Sequence, residues 1–87
     1  MDWEKYSFIV SSEIRIRVLK ALKQGKTPTQ IAQKIDAKTS HVSPTLSEFI
    51  KKGIAECMTP KAKVGRVYKL TALGEEILTY YSESMEK

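Results

Sequence analysis

The chain has little of the chemistry that catalysis, metal binding or redox control requires. Its 87 residues include one cysteine, Cys57, and one histidine, His41. A lone cysteine cannot form an internal disulfide, and one Cys with one His does not make a four-ligand metal cage. The sequence has no pairing of a nucleophile with a base, no paired carboxylates and no glycine-rich phosphate loop. It therefore predicts no enzyme, no metal site and no cofactor, and we interpret Cys57 as a small strand residue.

Long hydrophobic runs are also absent. A membrane-spanning helix needs about 20 apolar residues, and the longest uncharged apolar runs here are only a few residues long. The start Met-Asp-Trp-Glu-Lys lacks the apolar core of a signal peptide. With 87 residues and 41% hydrophobic composition, the chain has material for one small core, at a size where a second subunit often helps. We expect a single soluble domain over residues 1–87, cytoplasmic and without a membrane partner.

Acidic residues are scarce in the middle of the chain. Residues 13–70 contain 13 Lys or Arg and 4 Asp or Glu, a net charge of +9, whereas residues 1–12 carry −1 and residues 71–87 carry −3. A basic centre between mildly acidic ends is typical of a body that binds a polyanion. Lysines that only keep the surface soluble produce the same composition, so the charge alone leaves both interpretations open.

Periodicity and capping residues predict helices over the first part of the chain. Residues 1–11 are rich in apolar and aromatic side chains and predict a short N-terminal helix or arm that docks onto another surface. Ser11 or Ser12 can cap a second helix, which ends at Gln24-Gly25. The apolar stripe of this second helix consists of Ile14, Val18, Leu19 and Leu22.

A capping box marks the start of a third helix. Thr27 is its N-cap, Pro28 takes the first helical position, and Gln30 is placed to complete the box. The next helix, residues 38–52, ends before Gly53 and has short polar side chains outside its apolar stripe, which consists of Val42, Leu46, Phe49 and Ile50. A short helix, a turn and a second helix with a polar face form the pattern of a helix-turn-helix.

Two extended segments and a last helix follow. Residues 54–58 and 64–70 predict antiparallel strands, joined by a turn-prone and basic link. Thr71 then caps a helix over residues 71–87. The apolar face of that helix is wider than one small core needs, which favours a partner surface; it consists of Leu73, Ile77, Leu78, Tyr80 and Tyr81.

Two segments carry a family pattern: Val42-Ser43-Pro44-Thr45-Leu46 followed by Lys52-Gly53-Ile54, and Gly65-Arg66-Val67-Tyr68-Lys69-Leu70-Thr71-Ala72-Leu73-Gly74. In this order they resemble the winged helix-turn-helix transcription regulators of the ArsR and MarR kind. Those regulators have a Val-Ser-x-x-Leu recognition helix, a Gly-Leu or Gly-Ile step into the wing, and a closing segment with Gly-Arg, Tyr, Leu-Thr and Gly. The resemblance spans residues 12–78. It implies an α+β, mainly helical fold with a three-helix core, a two-stranded β-hairpin wing and a C-terminal helix.

The chain departs from this pattern at two positions. Lys38 stands where these regulators often have Ser, and Thr45 stands where a basic or imidazole side chain is common. Metal-sensing members of the ArsR kind use pairs of cysteines or clusters of His and carboxylate, which this chain lacks. The resemblance thus implies a regulator that senses no metal, and we assign no site to a small-molecule effector.

In such a fold the recognition helix, here residues 38–52, enters the major groove of double-stranded DNA. Side chains near its N-terminus reach base edges, and polar groups there hold phosphates. The predicted contacts are Lys38, Thr39, Ser40, His41, Ser43, Pro44 and Thr45. His41 either contacts phosphate or base or is only solvated. Pro44 either touches a thymine methyl group or simply fixes the helix start.

The predicted wing, residues 58–66, supplies a second set of contacts. Lys61, Lys63 and Arg66 can reach the adjacent groove or its phosphates, and a narrow minor groove attracts a guanidinium group. Arg66 can instead pair with Glu56 across the hairpin. On the preceding helix, we predict phosphate contacts by Thr29, Gln30 and Lys34, although the capping box can occupy the Gln30 side chain.

Residues from both ends of the chain predict a dimer interface, formed by Trp3, Tyr6, Ile77, Tyr80 and Tyr81. A two-fold dimer would place two recognition helices about 34 Å apart, one turn of DNA. The aromatic residues can instead cover one another within one chain. The sequence favours sequence-specific binding of double-stranded DNA by a homodimeric transcription regulator. The alternative is a winged-helix protein-protein interaction module of a transcription or replication assembly.

Overall fold

Helices dominate the structure, a computed structural model that describes residues 1–85. The elements are α1 (Trp3–Val10), α2 (Glu13–Ala21), α3 (Pro28–Lys34), α4 (Thr39–Lys51), β1 (Ala55–Cys57), β2 (Tyr68–Leu70) and α5 (Ala72–Met85). A 3₁₀ turn, Leu22–Gln24, extends α2. This order confirms the mainly helical α+β prediction. The last two residues of the predicted helix 71–87 lie outside the described part, and no helix within residues 1–85 is long and apolar enough to cross a membrane.

Side-chain caps explain where two of the helices begin. At α3, the Thr27 hydroxyl accepts from the Gln30 amide at 3.2 Å and the Gln30 side-chain oxygen accepts from the Thr27 amide at 3.0 Å, so the predicted capping box is present. At α1, the Asp2 carboxylate accepts from the Lys5 backbone amide at 3.1 Å, and this hydrogen bond holds the pKa of Asp2 below its ordinary value. The prediction that Ser11 or Ser12 caps α2 is wrong: Ser12 precedes the helix without a capping side-chain bond, and the Ser11 hydroxyl donates to the Phe8 carbonyl at 3.0 Å.

One core joins the helices to the hairpin. Its fully buried side chains come from α1, α2, α3, α4, the start of the hairpin and α5, and include Ile9, Leu19, Ile31, Phe49, Ile54 and Ile77. Each such side chain contributes about 1.5–3 kcal/mol relative to leaving it exposed. The position of α4 is therefore determined by its buried stripe, and its other faces remain at the surface.

The two strands are shorter than predicted, and a third segment of the chain pairs with the second strand. Strands β1 and β2 pair antiparallel with Glu56 opposite Lys69, but residues 64–67 are loop and not strand. At the far edge, the Lys26 amide donates to the Tyr68 carbonyl at 2.9 Å and the Tyr68 amide donates to the Lys26 carbonyl at 2.8 Å. The segment before α3 thus anchors the hairpin to the helix-turn-helix.

Helix α5 leaves the hairpin at a close contact that only glycine permits. A Cβ atom at Gly74 would overlap the Ile54 carbonyl oxygen and lie 3.1 Å from side-chain atoms of Leu70. The Thr71 hydroxyl joins the two segments, because it accepts from the Gly74 backbone amide at 3.2 Å and its proton is shared between the Gly53 carbonyl at 2.5 Å and the Ile54 carbonyl at 3.0 Å. The predicted cap by Thr71 is therefore present.

Candidate nucleic-acid interface

Helix α4 corresponds to the predicted recognition helix, and the residues of its first half divide into buried and exposed sets. Val42 and Leu46 are buried in the core. Lys38 is the N-cap residue, which precedes the helix without a capping side-chain bond. Six of the seven predicted contact residues are exposed: Lys38, Thr39, Ser40, His41, Ser43 and Pro44.

Thr45 is the predicted contact residue that is not at the surface. Only 9% of it is exposed, and its hydroxyl donates to the His41 carbonyl at 3.2 Å. Thr45 follows Val42 by three positions, a spacing that places both on the core-facing side of a helix. Thr45 is therefore not available for the DNA contact predicted for it.

Pro44 lies inside α4, at its sixth residue, and not at the helix start. A proline at an interior position lacks the amide that would donate to the carbonyl four residues earlier, here that of Ser40, and its ring crowds that carbonyl. The usual cost is about 3 kcal/mol relative to alanine. Helix α4 nevertheless runs unbroken from Thr39 to Lys51. Pro44 thus does not serve to fix the helix start, one of the two roles considered for it.

The wing, residues 58–67, is held by its own hydrogen bonds. The Met58 amide donates to the Val67 carbonyl at 2.7 Å, and the Val67 amide donates to the Thr59 hydroxyl at 3.0 Å. Within the loop, the Ala62 amide donates to the Thr59 carbonyl at 3.0 Å. This bonding holds the backbone that presents three exposed basic side chains, those of Lys61, Lys63 and Arg66.

Arg66 does not take the carboxylate partner considered for it. Its Nε donates to the Ala62 carbonyl at 2.7 Å, a bond that orients the guanidinium within the wing. Glu56 is 3.9 Å from the Lys69 ammonium, its direct cross-strand neighbour. The charge of Arg66 therefore remains available to an external anion.

A cleft of about 310 Å³ separates the wing from the start of α3. Thr29 lines one side, and Lys63 and Arg66 line the other. The fold thus brings a predicted phosphate ligand of α3 close to two predicted wing residues. Gln30 is engaged in the capping box through its side-chain oxygen, and Lys34 is exposed in the last turn of α3.

Three of the four carboxylates of the basic middle segment pair with cations other than the predicted DNA contacts. The ion pairs are Glu13 with Arg17, Glu48 with Arg15 and Glu56 with Lys69. Arg15 also lies over the Phe8 ring, 3.8 Å from its centroid. Within residues 1–85, no salt bridge involves any of the five predicted contact cations, Lys34, Lys38, Lys61, Lys63 and Arg66.

The two ends of the chain meet in an aromatic cluster, defined here as Trp3, Tyr6 and Tyr80. The three rings pack edge to face, with centroids 5.1 to 5.8 Å apart. The aromatic residues therefore do cover one another within one chain. Trp3 nevertheless remains 56% exposed and Tyr80 41% exposed, which leaves apolar ring surface in contact with solvent.

The remaining two predicted interface residues lie in different surroundings. Tyr81 is half-buried, with the Lys20 ammonium 5.3 Å from its ring centroid. Ile77 is fully buried in the chain's own core. The side chain of Ile77 therefore has no surface to offer a partner, and its assignment to a dimer interface is corrected.

Several solved structures have a backbone similar to that of this chain. No family model and no curated protein matches the chain. TubR bound to 24 bp of tubC, from Bacillus thuringiensis serovar israelensis pBtoxis, is similar with a TM-score of 0.81 and 22% identity, over 94% of this chain and 92% of that chain. The reduced form of MarR from E. coli is similar with a TM-score of 0.79 and 20% identity, over 95% of this chain.

A MarR family transcription regulator, SP03579, is similar with a TM-score of 0.77 and 24% identity, over 95% of this chain. The chain spans 64% of the E. coli MarR chain and 58% of the SP03579 chain, so it corresponds to part of each. At such identities the similarity concerns the backbone. The chain has the winged-helix fold that the TubR and MarR structures share.

Proposed function

We propose that this chain is a transcription regulator that binds double-stranded DNA, with α4 in the major groove and the wing on the adjacent groove or its phosphates. The observation that carries the proposal is the set of five exposed contact cations, which form no salt bridge within residues 1–85 and lie on the elements that a winged helix presents to DNA. Short hydroxyl side chains accompany them on α4. The proposed regulator is cytoplasmic, has no enzymatic activity and needs no metal or cofactor.

The proposed contacts divide into phosphate contacts and base contacts. Lys34, Lys38, Lys61, Lys63 and Arg66 neutralise phosphates, and the cleft beside Thr29 receives the DNA backbone. Thr39, Ser40, His41, Ser43 and Pro44 face base edges. Hydroxyl groups pair with any base, so their contribution to sequence choice is small. Affinity therefore comes mainly from the cations, and part of the selectivity comes from DNA shape.

Duplex DNA is favoured as the partner by the structural comparison. The TubR structure that covers almost the whole chain contains 24 bp of tubC, and SP03579 is described as a transcription regulator. A wing-to-helix cleft lined by Lys63 and Arg66 is consistent with a polyanion. These points support the proposal over a protein-interaction module, in which the same cations would be incidental.

The proposed regulator is a homodimer joined through α1 and α5. One domain of this size makes few contacts relative to a usual specific protein–DNA interface. The exposed rings of Trp3 and Tyr80 provide apolar surface for a second copy, with Tyr6 and Tyr81 beside them. Two-fold symmetry would present two copies of α4 to half-sites about one helical turn apart.

A salt titration of duplex binding tests the proposal. If five phosphates are neutralised by each chain, log affinity should fall with log salt at a slope of about −4.5 per chain. A slope near zero, or no binding to a random duplex at low salt, would overturn the regulator and favour the protein-interaction alternative. The double variant Lys63→Ala, Arg66→Ala serves as an internal standard, because it should reduce the magnitude of the slope by about 2.

A further inference from the structure

An open cleft lies between α1 and α5, beside the aromatic cluster. Its volume is about 410 Å³, and it is lined by Met1, Trp3, Glu76, Thr79, Tyr80 and Glu83. Small-molecule sites are clefts of about 300–1,000 Å³ with apolar walls and a few polar groups. The cleft thus has the size and the lining of a ligand site, and none of its residues belongs to the predicted DNA contacts.

Two aromatic rings form one corner of this cleft. The centroids of Trp3 and Tyr80 are 5.1 Å apart, and the planes of the two rings stand at 79° to each other. Tyr6 packs edge to face against both rings and so supports their orientation. Both rings of the corner keep surface open to solvent. The face of an aromatic ring attracts a cation, and indole attracts it most strongly.

The side-chain charges of the cleft are those of two carboxylates. Glu76 already has a cation, because its Oε1 lies 3.4 Å from the α-ammonium of Met1. Glu83 is exposed and forms no salt bridge within residues 1–85. It also lies in the last turn of α5, where there is no basic residue and where the helix dipole disfavours a negative charge. Among the described residues, Glu83 therefore brings the cleft a negative charge that no protein cation offsets.

We infer that this cleft binds a small organic cation with an alkylated ammonium group. The rings of Trp3 and Tyr80 contact the alkyl groups around the charged nitrogen, and the Glu83 carboxylate is the counter-charge. A fully alkylated ammonium has no N–H group, so it gives up no hydrogen bond to water when it meets ring surface. The inference goes beyond the proposed function, because the cation site needs neither DNA nor a second copy of the chain.

The cation and the proposed second copy compete for the same rings. Trp3 and Tyr80 supply the apolar surface assigned to the dimer interface. A ligand that binds only the uncovered surface favours the monomer by mass action. A cation of this class should therefore weaken the proposed dimer, and with it the gain in DNA affinity that two joined domains provide. Sedimentation equilibrium with and without the cation measures this shift.

Fluorescence of Trp3 reports binding directly, because Trp3 is the only tryptophan of the chain. The probe is choline, and its uncharged match is 3,3-dimethylbutan-1-ol, which has carbon in place of the charged nitrogen. The titration uses the full chain, at a concentration where it is monomeric and at constant ionic strength. Choline should change the emission saturably, and the alcohol should bind about fivefold more weakly or less.

Two variants of exposed α5 carboxylates locate the site. Glu83→Gln removes the counter-charge and keeps the size of the side chain, so it should weaken choline binding about threefold and leave binding of the alcohol unchanged. Glu75→Gln is the matched control. It removes the same charge from the same helix, but Glu75 lines a different cleft, beside Lys23, and choline binding should be unchanged.

The inference is overturned if choline causes no saturable change, if choline and the alcohol bind equally, or if the two glutamine variants behave alike. These titrations contain no DNA. A chain that shows no salt-dependent duplex binding therefore overturns the proposed function and not the cation site, and the two failures are distinguished.

Discussion

At the scale of single residues, Gly74 controls the junction between α5 and the hairpin. The absence of a side chain at Gly74 lets the helix approach the Ile54 carbonyl. The Thr71 hydroxyl contacts both the Ile54 carbonyl and the Gly74 backbone amide. The closing glycine of the family pattern thus has a packing reason here. By contrast, a methyl group added at Gly53 would meet no atom within 4 Å, so glycine is required there only for its φ of 72°.

Gly74→Ala should therefore lower the free energy of unfolding by about 3 kcal/mol, because the added methyl group overlaps main-chain atoms. Gly53→Ala should cost only about 1–2 kcal/mol, which is the penalty for a left-handed conformation of alanine. Urea denaturation of the two variants measures both values. Equal losses would mean that the α5 junction relaxes freely and that packing there is not tight.

Asp2 provides a pH-dependent contribution at the same scale. The backbone hydrogen bond from Lys5 lowers the pKa of Asp2, so the folded state binds its proton less readily than the unfolded state. The cap should stabilise α1 fully above the unfolded pKa of about 3.9, and this stabilisation should disappear as the pH falls through the lower folded value.

Thermal midpoints of the unchanged chain and of Asp2→Ala, measured from pH 7 down to about pH 3, check this expectation. The difference between the two midpoints should be constant above about pH 5 and should shrink below about pH 4. A difference that stays constant over the whole range would show that the carboxylate charge does not contribute to the cap.

At the scale of elements, α4 and the wing should have separable roles. The wing presents Lys63 and Arg66 from a hydrogen-bonded loop, whereas α4 presents short hydroxyl side chains on the faces that its buried stripe leaves at the surface. Charges on a projecting loop contact phosphates of any sequence, and groups on a groove-bound helix contact base edges.

Lys63→Ala together with Arg66→Ala should weaken binding to all duplex sequences by about the same factor. Thr39→Ala together with Ser43→Ala should change the relative affinities for different sequences by a small factor, because each hydroxyl selects weakly among bases, and should change the average affinity little. Binding of each variant to a common panel of duplexes gives both quantities. If the two double variants change the panel in the same way, readout by α4 is wrong.

At the scale of the whole molecule, α1 and α5 form a surface that differs in charge from the basic middle of the chain. Residues 1–12 and 71–87 are net acidic, and the aromatic cluster lies where α1 meets α5. Trp3 and Tyr80 keep 56% and 41% of their surface exposed. A dimer interface on this surface would bury the rings of Trp3 and Tyr80, which a single chain covers only in part.

Trp3→Glu should therefore shift the proposed dimer towards monomer, because it removes a ring and adds a charge next to Tyr80. Val64→Glu is the matched control: Val64 is 86% exposed on the wing, so the same type of change should leave the mass in solution unaltered. Sedimentation equilibrium measures both. A Trp3→Glu dimer of unchanged affinity would place the interface away from the aromatic cluster.

Much of the secondary structure was predictable because its signals are local. The Thr27–Gln30 capping box and the termination of α4 before Gly53 involve groups only a few residues apart. The burial of Thr45 was also available from the sequence, since it follows Val42 by three residues on the same stripe. The interior place of Pro44 likewise follows from counting from the predicted helix start.

The sequence by itself therefore determined the order of helices, the caps of α3 and α5, the basic middle segment and the winged-helix expectation, because these depend on spacing and composition. Only the tertiary structure decided the pairing of Lys26 with Tyr68, the choice of Lys69 as the partner of Glu56, and the burial of Ile77. Each of these depends on how segments far apart in the sequence lie relative to one another, or on which of several nearby cations is nearest to a carboxylate. Periodicity identifies an apolar face, and packing decides whether that face meets the chain's own core or remains open to a partner.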